Sequence, residues 1–500
     1  MRKLLDTPTQ RRLKILEHLN EVSDWISSNE LAKENNASLR TINNDVSYLK
    51  ENWYPHLIIE TSKKNGVRLR TQPSSHVQMV YRYVLKTSEA FRLLESMFFD
   101  TTLSIEKWGE KLYISESSLY RITGSMSKCL KNYGLILEKK PCRIVGKSEF
   151  YARFFYTSFF REAYNMTEWP FPTNKRESIA FIEKMLNLLD FKLDDHQINQ
   201  INVMFNVTLI RQSQGFFLEE DKIFQTLDPK IFKLFSDHSN LLEPIAQQYK
   251  IKVTDKMIHD LVLTIFLHNN NWKSDEEKLL ITKEINNFIK TLRNVFDLKL
   301  SNSVSDKMES KMKHLYLYHQ LYPFRNFVIF DQHLYDGMVI KERFPMLNKV
   351  VEHGLGEMEK NTNFPWKTSF HYVILYWIMM KWGDLPTILE SKKEKAKILV
   401  MSNLGYEHSE FLTKQIKSNF EAKIEISKYE GRILFLDEVP NSAFKEYDLL
   451  ITNFNTDLLP NDKLVVVDDI PSNANWGTIR RSIDNIYKIN PDILNYLKTD

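Results

Sequence analysis

Apolar residues near the start of the chain recur at helical spacing, interrupted by short polar stretches. Leu13, Ile15, Leu16 and Leu19 place an amphipathic helix over Thr9–Leu19. A short helix over Asn29–Asn35, with Leu31 and Ala32 inward, leads into the polar turn Asn35-Asn36-Ala37. Ser38 then stands where an N-cap belongs, before Leu39–Glu51 with Ile42, Val46 and Leu49 on one face. Ala32, six positions before that cap, lets two helices cross closely, as a helix-turn-helix requires. The other face of the second helix carries Arg40, Thr41, Asn43, Asn44, Ser47 and Lys50, residue types that reach base edges and phosphates in a major groove. The period then falls to two. Ile58-Ile59 and Val67-Arg68-Leu69-Arg70 flank Lys63-Lys64-Asn65-Gly66, which predicts a hairpin wing with Lys63 and Lys64 at its tip.

The same pattern returns 77 residues later. Ser104–Lys111 precedes Leu112-Tyr113-Ile114, and Ser115 caps a helix running to about Asn132. Gly109 replaces Ala32, Leu119, Ile122 and Met126 point inward, and Ser117, Ser118, Tyr120, Arg121, Ser125 and Lys128 face outward. Leu135–Val145, with Glu138-Lys139-Lys140-Pro141 inside it, predicts a second wing. Two such motifs in tandem make duplex DNA the leading partner.

Residues 150–390 keep helical periodicity with very few glycines, and aromatic-rich Phe150–Tyr164 joins the front of the chain to this body. The longest apolar run, Tyr372–Met380, is far short of the roughly 20 residues that span a bilayer. Met1–Lys14 is charged throughout, with no apolar leader, so an intracellular, cytoplasmic chain is expected. Farther on, Lys397–Met401 reads as a buried strand followed by a polar loop and a helix from about Glu407 to Phe420. Further apolar runs at Lys423–Ile426, Leu449–Thr452 and Leu464–Val467, with helical stretches between them and a last helix near Trp476–Tyr487, predict a small parallel sheet with covered faces.

Composition sharpens this. Five hundred residues exceed one hydrophobic core, so three to five domains are expected. Gly and Pro number only 13 and 16, which excludes collagen-like or largely disordered chains and favours helix. Two cysteines, Cys129 and Cys142, exclude a disulfide framework and a site of four thiolates. The net charge of +4 divides unevenly: residues 1–150 hold 24 Lys+Arg against 17 Asp+Glu, a net of +7, which leaves −3 behind them. A basic front on a slightly acidic body suits a DNA-binding head on a regulatory part. No P-loop, His-Glu-x-x-His or Cys-x-x-Cys spacing occurs, and Gly354-Leu355-Gly356-Glu357 lacks the third glycine and preceding strand of a nucleotide loop. No cofactor and no metal site is expected.

The segment Ala37-Ser38-Leu39-Arg40-Thr41-Ile42-Asn43-Asn44-Asp45-Val46-Ser47-Tyr48-Leu49 resembles the Ser-x-Arg-Thr-Ile-x-x-Asp-Ile-x-x-Leu recognition helix of sugar-system transcription regulators. Ile114-Ser115-Glu116-Ser117-Ser118-Leu119-Tyr120-Arg121 is similar to the second such helix of Mga/AtxA-type virulence regulators. The order of the remaining segments also resembles that family. The resemblance implies a mostly α, multi-domain chain: winged helix-turn-helix domains at 1–72 and 73–150, all-helical regulatory domains at 151–278 and 279–392, and a small α/β EIIB-like domain with a parallel sheet at 393–500. In such regulatory domains a histidine accepts phosphate from a phosphocarrier protein of the phosphotransferase system, which needs a neutral, reachable imidazole. By similarity the candidates are His196, His268 and His319, with His314 and His371 behind them. In EIIB a cysteine directly after the first strand carries phosphate, and Ser402 occupies that place here. A hydroxyl is not the low-pKa thiolate such transfer uses, so an enzyme is not expected.

The reading that follows is a DNA-binding transcription regulator, an activator of virulence or global type. It would bind double-stranded promoter DNA as a homodimer, away from membranes, and be tuned by histidine phosphorylation. The alternatives are a phosphotransferase-system enzyme component and an RNA-binding antiterminator.

Overall fold

Serine, asparagine and aspartate side chains set where many of the helices begin. Ser27, Ser38, Ser104, Ser115, Asn174, Asp194 and Ser472 each accept a hydrogen bond from an amide in the first turn of the helix they precede. A computed structural model describes residues 1–22, 25–54, 57–70, 76–218, 229–266, 272–298, 302–391, 395–421 and 423–486. The chain divides into two compact units, 1–274 with 314–332, and 275–313 with 333–500.

The first unit opens with α1 (Thr7–Val22), α2 (Ser28–Glu34), α3 (Leu39–Asn52) and the antiparallel pair β1 (Ile58–Ser62) and β2 (Gly66–Arg70). This is the predicted winged helix-turn-helix, with α1 extended at both ends. Next come α4 (Gln78–Thr87) and α5 (Glu89–Phe99), two amphipathic helices that the sequence reading did not place. The second motif is α6 (Ile105–Leu112), α7 (Glu116–Leu130) and the pair β3 (Leu135–Lys139) and β4 (Cys142–Gly146). A side chain on Gly109 would meet Leu119 Cδ2 at 2.8 Å, so the close crossing expected at that position is real. Cys129 and Cys142 are buried and unpaired, and burial pushes the Cys142 thiol up to about 12.

The helical part of this unit contains α8 (Glu149–Ala163), α9 (Lys175–Leu188), α10 (Asp195–Ser213), α11 (Pro229–Asp237), α12 (Ser239–Gln248) and α13 (Asp255–Phe266). Helix α8 is buried on nearly every side, and it packs on α4, β4 and α10. Being hydrophobic all round, it can exist only inside a core. Its charged residues therefore need partners. Glu149 takes a bidentate pair of bonds from Arg211, both 2.7 Å. Arg153 lies 2.9 Å from Asp260 and donates to Phe216 O at 3.0 Å, and Asp260 also accepts from Gln212 and from the Leu218 amide. Two cations and two anions close a neutral buried network, the condition under which such charges are tolerable.

In the second unit, α14 (Asp275–Val295) packs on α17 (Pro345–Thr362), and α17 packs on α18 (Trp366–Lys381). Helix α15 (Asn302–Leu321) contributes residues 302–313 to this unit and 314–321 to the other, and α16 (Gln332–Arg343) and α19 (Leu385–Ser391) complete the helices. Gly354 and Gly356 lie inside α17, so no nucleotide loop exists there. The last part forms a parallel four-stranded sheet in the order β6 (Ile424–Lys428), β5 (Ala396–Met401), β7 (Leu449–Thr452), β8 (Leu464–Val466). Helix α20 (Tyr406–Phe420) follows β5 and α21 (Asn473–Asn485) follows β8. Between β6 and β7 only the 3-10 turns Ile433–Glu438 and Asn441–Phe444 occur, where the sequence suggested helix. No helix of the described residues is long and apolar enough to cross a membrane.

Glu162, near the end of α8, accepts hydrogen bonds from the amides of Val328, Ile329 and Phe330 at 2.6, 2.9 and 2.7 Å. Burial outweighs those amides and pushes its carboxyl up to about 7. The folded chain thus holds a proton that the unfolded chain gives up from about pH 4.5, so this group's stabilisation is full below that pH and is lost as pH rises to about 7. The melting temperature of the full chain should fall across that window and Glu162→Gln should flatten this component, measured by calorimetry from pH 5 to 7.5; an identical slope in the variant would sink it.

Candidate nucleic-acid interface

The first recognition surface is built on α3. Its inward face, Ile42, Val46 and Leu49, is buried, and the Ser38 cap accepts from the Thr41 amide at 3.1 Å. Arg40, Asn43, Asn44, Ser47 and Lys50 are exposed and Thr41 is half-buried, its hydroxyl 2.8 Å from Ser38 Oγ. Lys63 and Lys64 are exposed at the wing turn. Gly66 is required there: its φ is +100°, and a side chain would run into the Ile26 carbonyl, which pairs with Val67 across an isolated bridge. Glu60 on β1 binds Arg68 and Arg70 of β2 along the wing, and Arg68 also lies over the Trp25 ring.

Helix α3 is tied to α1 by a residue that sequence reasoning left unassigned. Asp45 is buried and paired with Arg11 at 2.5 Å and Arg12 at 2.9 Å, and Arg12 also sits over the Tyr48 ring. The signal was present as a lone acid within an otherwise apolar helix face, with two arginines 33 and 34 residues earlier.

The second surface is α7, capped by Ser115, which accepts from the Ser118 amide. Ser117, Tyr120, Arg121 and Lys128 are exposed, and Ser118 and Ser125 are half-buried. Tyr113, in the left-handed turn between α6 and α7, is 95% exposed, and Tyr120 is 63% exposed. A side chain at Gly124 would meet nothing within 4 Å, so this face is open. Both helices therefore present a polar and cationic row beside a hairpin, the arrangement that places side chains at base edges and phosphates.

The regulatory candidates are scattered. His196 is exposed at the start of α10, next to the Asp194 cap. His314 and His319 are half-buried on α15; His314 stacks on Tyr318 at 6.3 Å, and burial lowers the pKa of His319. His371, at the start of α18 in the other unit, is also lowered by burial and lies 4.8 Å from the Tyr372 ring. His268 lies outside the described residues.

Ser402 is buried at the end of β5. Its Oγ lies 2.6 Å from His408 Nδ1 and accepts from the Leu404 amide at 3.0 Å. The other ring nitrogen, Nε2, lies 2.6 Å from the Asp469 carbonyl. A carbonyl can only accept, so Nε2 carries a proton, and in the neutral ring the serine hydroxyl then donates to Nδ1. Asn453 bridges Asn403 and the Asp469 carboxylate, closing the loop on itself.

Comparisons with known proteins agree with the geometry. Residues 11–68 match the model of a helix-turn-helix domain, and residues 73–160 match that of the Mga helix-turn-helix domain. A putative trans-acting regulator of Streptococcus pneumoniae serotype 4 is 27% identical over 492 residues, covering 94% of this chain and 96% of the relative. The capsule synthesis positive regulators AcpA and AcpB of Bacillus anthracis are each 26% identical, over 60% and 61% of this chain and 64% and 63% of their own lengths. The resemblance to Mga/AtxA-type regulators is borne out.

Replacing Asp45 by Ala would leave two arginines facing each other without their buried counter-charge, a loss of about 3 kcal/mol by the usual cost of breaking such a pair. Amide exchange across residues 7–52 should speed up accordingly; unchanged protection would mean that the pair contributes nothing.

Proposed function

We propose that this chain, with its two helix-turn-helix domains of Mga/AtxA type, is a transcription activator that binds double-stranded promoter DNA in the cytoplasm. The observation that carries this reading is the pair of capped helices, α3 and α7, each with an open polar and cationic face beside a hairpin. Arg40, Thr41, Asn43, Asn44, Ser47 and Lys50 would meet one stretch of groove, with Lys63 and Lys64 on the flanking phosphates. Ser117, Ser118, Tyr120, Arg121, Ser125 and Lys128 would meet another. The relatives named as positive regulators of capsule synthesis support the sign of the effect and a virulence or global role.

The remainder is regulatory in this reading. Two helical modules, 151–278 and 279–392, would accept phosphate on histidine from phosphocarrier proteins, and the module at 393–500 would be an EIIB-like domain without transfer activity. The hydroxyl of Ser402 is already committed to His408 and Leu404, which supports a structural role there. Phosphate would act by adding about two negative charges at a packed surface and so favouring one arrangement of a homodimer.

Two measurements test the reading. Arg40→Ala or Arg121→Ala should weaken binding to a cognate promoter fragment by about 1–3 kcal/mol if the arginine reads a base, and Lys63→Ala should lower the salt slope by about one. Tighter binding to single-stranded RNA than to duplex DNA would overturn the DNA reading. Incubation with the phosphocarrier proteins followed by peptide mapping should place phosphate on His196, His268, His319, His314 or His371; an unmodified chain removes the regulatory half.

A further inference from the structure

A histidine and two glutamates converge between the first two helices. His18 lies in the last part of α1; Glu30 and Glu34 lie one turn apart on α2. One ligand atom of each, the imidazole nitrogen and a carboxylate oxygen from each glutamate, falls within 4.8 Å of the others. His18 Nε2 and Glu34 Oε2 are 3.3 Å apart. The spacing follows no metal motif, because the ligands come from two helices and meet only in the folded chain.

Two features set this cluster apart from an ordinary acidic surface. Like charges at i and i+4 on a helix repel, and here no lysine or arginine is bonded to either carboxylate among the described residues. In addition, His18 Nε2 is shut off from solvent and makes no hydrogen bond, since Glu34 stands in ion-pair range without the alignment a hydrogen bond needs. A buried imidazole nitrogen facing two carboxylates offers the donor set of a divalent cation. Nitrogen with two carboxylate oxygens suits zinc or manganese, with water completing the coordination.

We propose that His18, Glu30 and Glu34 form a divalent-cation site that clamps α2 to α1. The ion would complete what Asp45 begins. Arg11 and Arg12 hold α3 to the first half of α1, and the ion would hold α2 to its second half, fixing both helices of the motif on one support. Binding only the folded arrangement, it raises the stability of this module in proportion to its occupancy. Its consequence for promoter binding rests on the DNA reading above; the site itself does not.

The test uses the full chain, stripped with EDTA, dialysed and titrated with zinc chloride or manganese chloride in a calorimeter. One equivalent per chain at micromolar affinity is expected, with a raised melting temperature. His18→Ala and Glu34→Gln should each weaken that affinity at least tenfold, while His408→Ala leaves it intact. Both glutamates are exposed, so Glu34→Gln keeps the fold, which far-UV circular dichroism of the stripped protein checks. No saturable binding of either ion, or binding untouched by both variants, overturns the site. A metal-loaded chain that fails to bind any promoter duplex would overturn the DNA reading and leave the cation site standing.

Discussion

A helix that is apolar on every side cannot stand alone, and much of the first unit depends on how α8 is covered. Its rings pack against Phe98 of α5 and Phe171, and against Tyr318 of α15 and Tyr322 just after it. Its charges allow one register. Glu149 must meet Arg211 and Arg153 must meet Asp260, because either acid or base left alone in that environment would cost several kcal/mol. The wing strand β4 and helix α4 rest on the same helix. The DNA-facing front and the first helical module are therefore built on one core and not joined by a flexible tether.

That shared core gives the proposed regulation a physical route. His314 stacks on Tyr318, and Tyr318 lies 5.0 Å from Phe154 of α8. A phosphate on His314 would thus sit one ring away from the helix that supports the second winged motif. Burial already lowers the pKa of His319, five residues on, so its neutral, nucleophilic form prevails at physiological pH. Segment 328–330 is bound through its amides to Glu162, and Ile329 O accepts from Arg2 at 2.5 Å, so this stretch touches both the end of α8 and the first residues of the chain. Any shift of 314–332 must disturb those bonds.

What could be read along the chain was what is decided locally. Ser38 and Ser115 cap helices within three residues of themselves, and the hairpins follow from alternation around a polar turn, so both winged motifs were legible nearly to the residue. Helices α4 and α5 were less legible although Val80, Tyr81, Val84 and Leu85 repeat at helical spacing, because neither helix opens on a side-chain cap. The connections around β6 and β7 contain short apolar runs, and a run such as Ile433–Leu436 does not tell a helix from a turn packed under a sheet. The bonds from Glu162 span 166 to 168 residues and those from Arg153 to Asp260 span 107, distances over which one sequence carries no pairing signal. The candidate site divided the same way: the exposed faces of α3 and α7 were legible, and the Asp45 clamp beneath them was not.

Ser402 shows how a loop ahead of a helix can satisfy its polar groups from within. In a loop that cradles an anion, backbone amides at the helix N-terminus point at an empty centre. Here the Leu404 amide already has the serine oxygen, the Asn403 amide has Asn453, and the serine hydroxyl is hydrogen-bonded to a histidine whose other nitrogen is anchored on Asp469 O. The loop is thus satisfied from within, and a phosphate would have to displace bonds that cost nothing to keep. Through His408, the serine takes part in the hydrogen bonds that hold β5, α20 and the segment after β8 together.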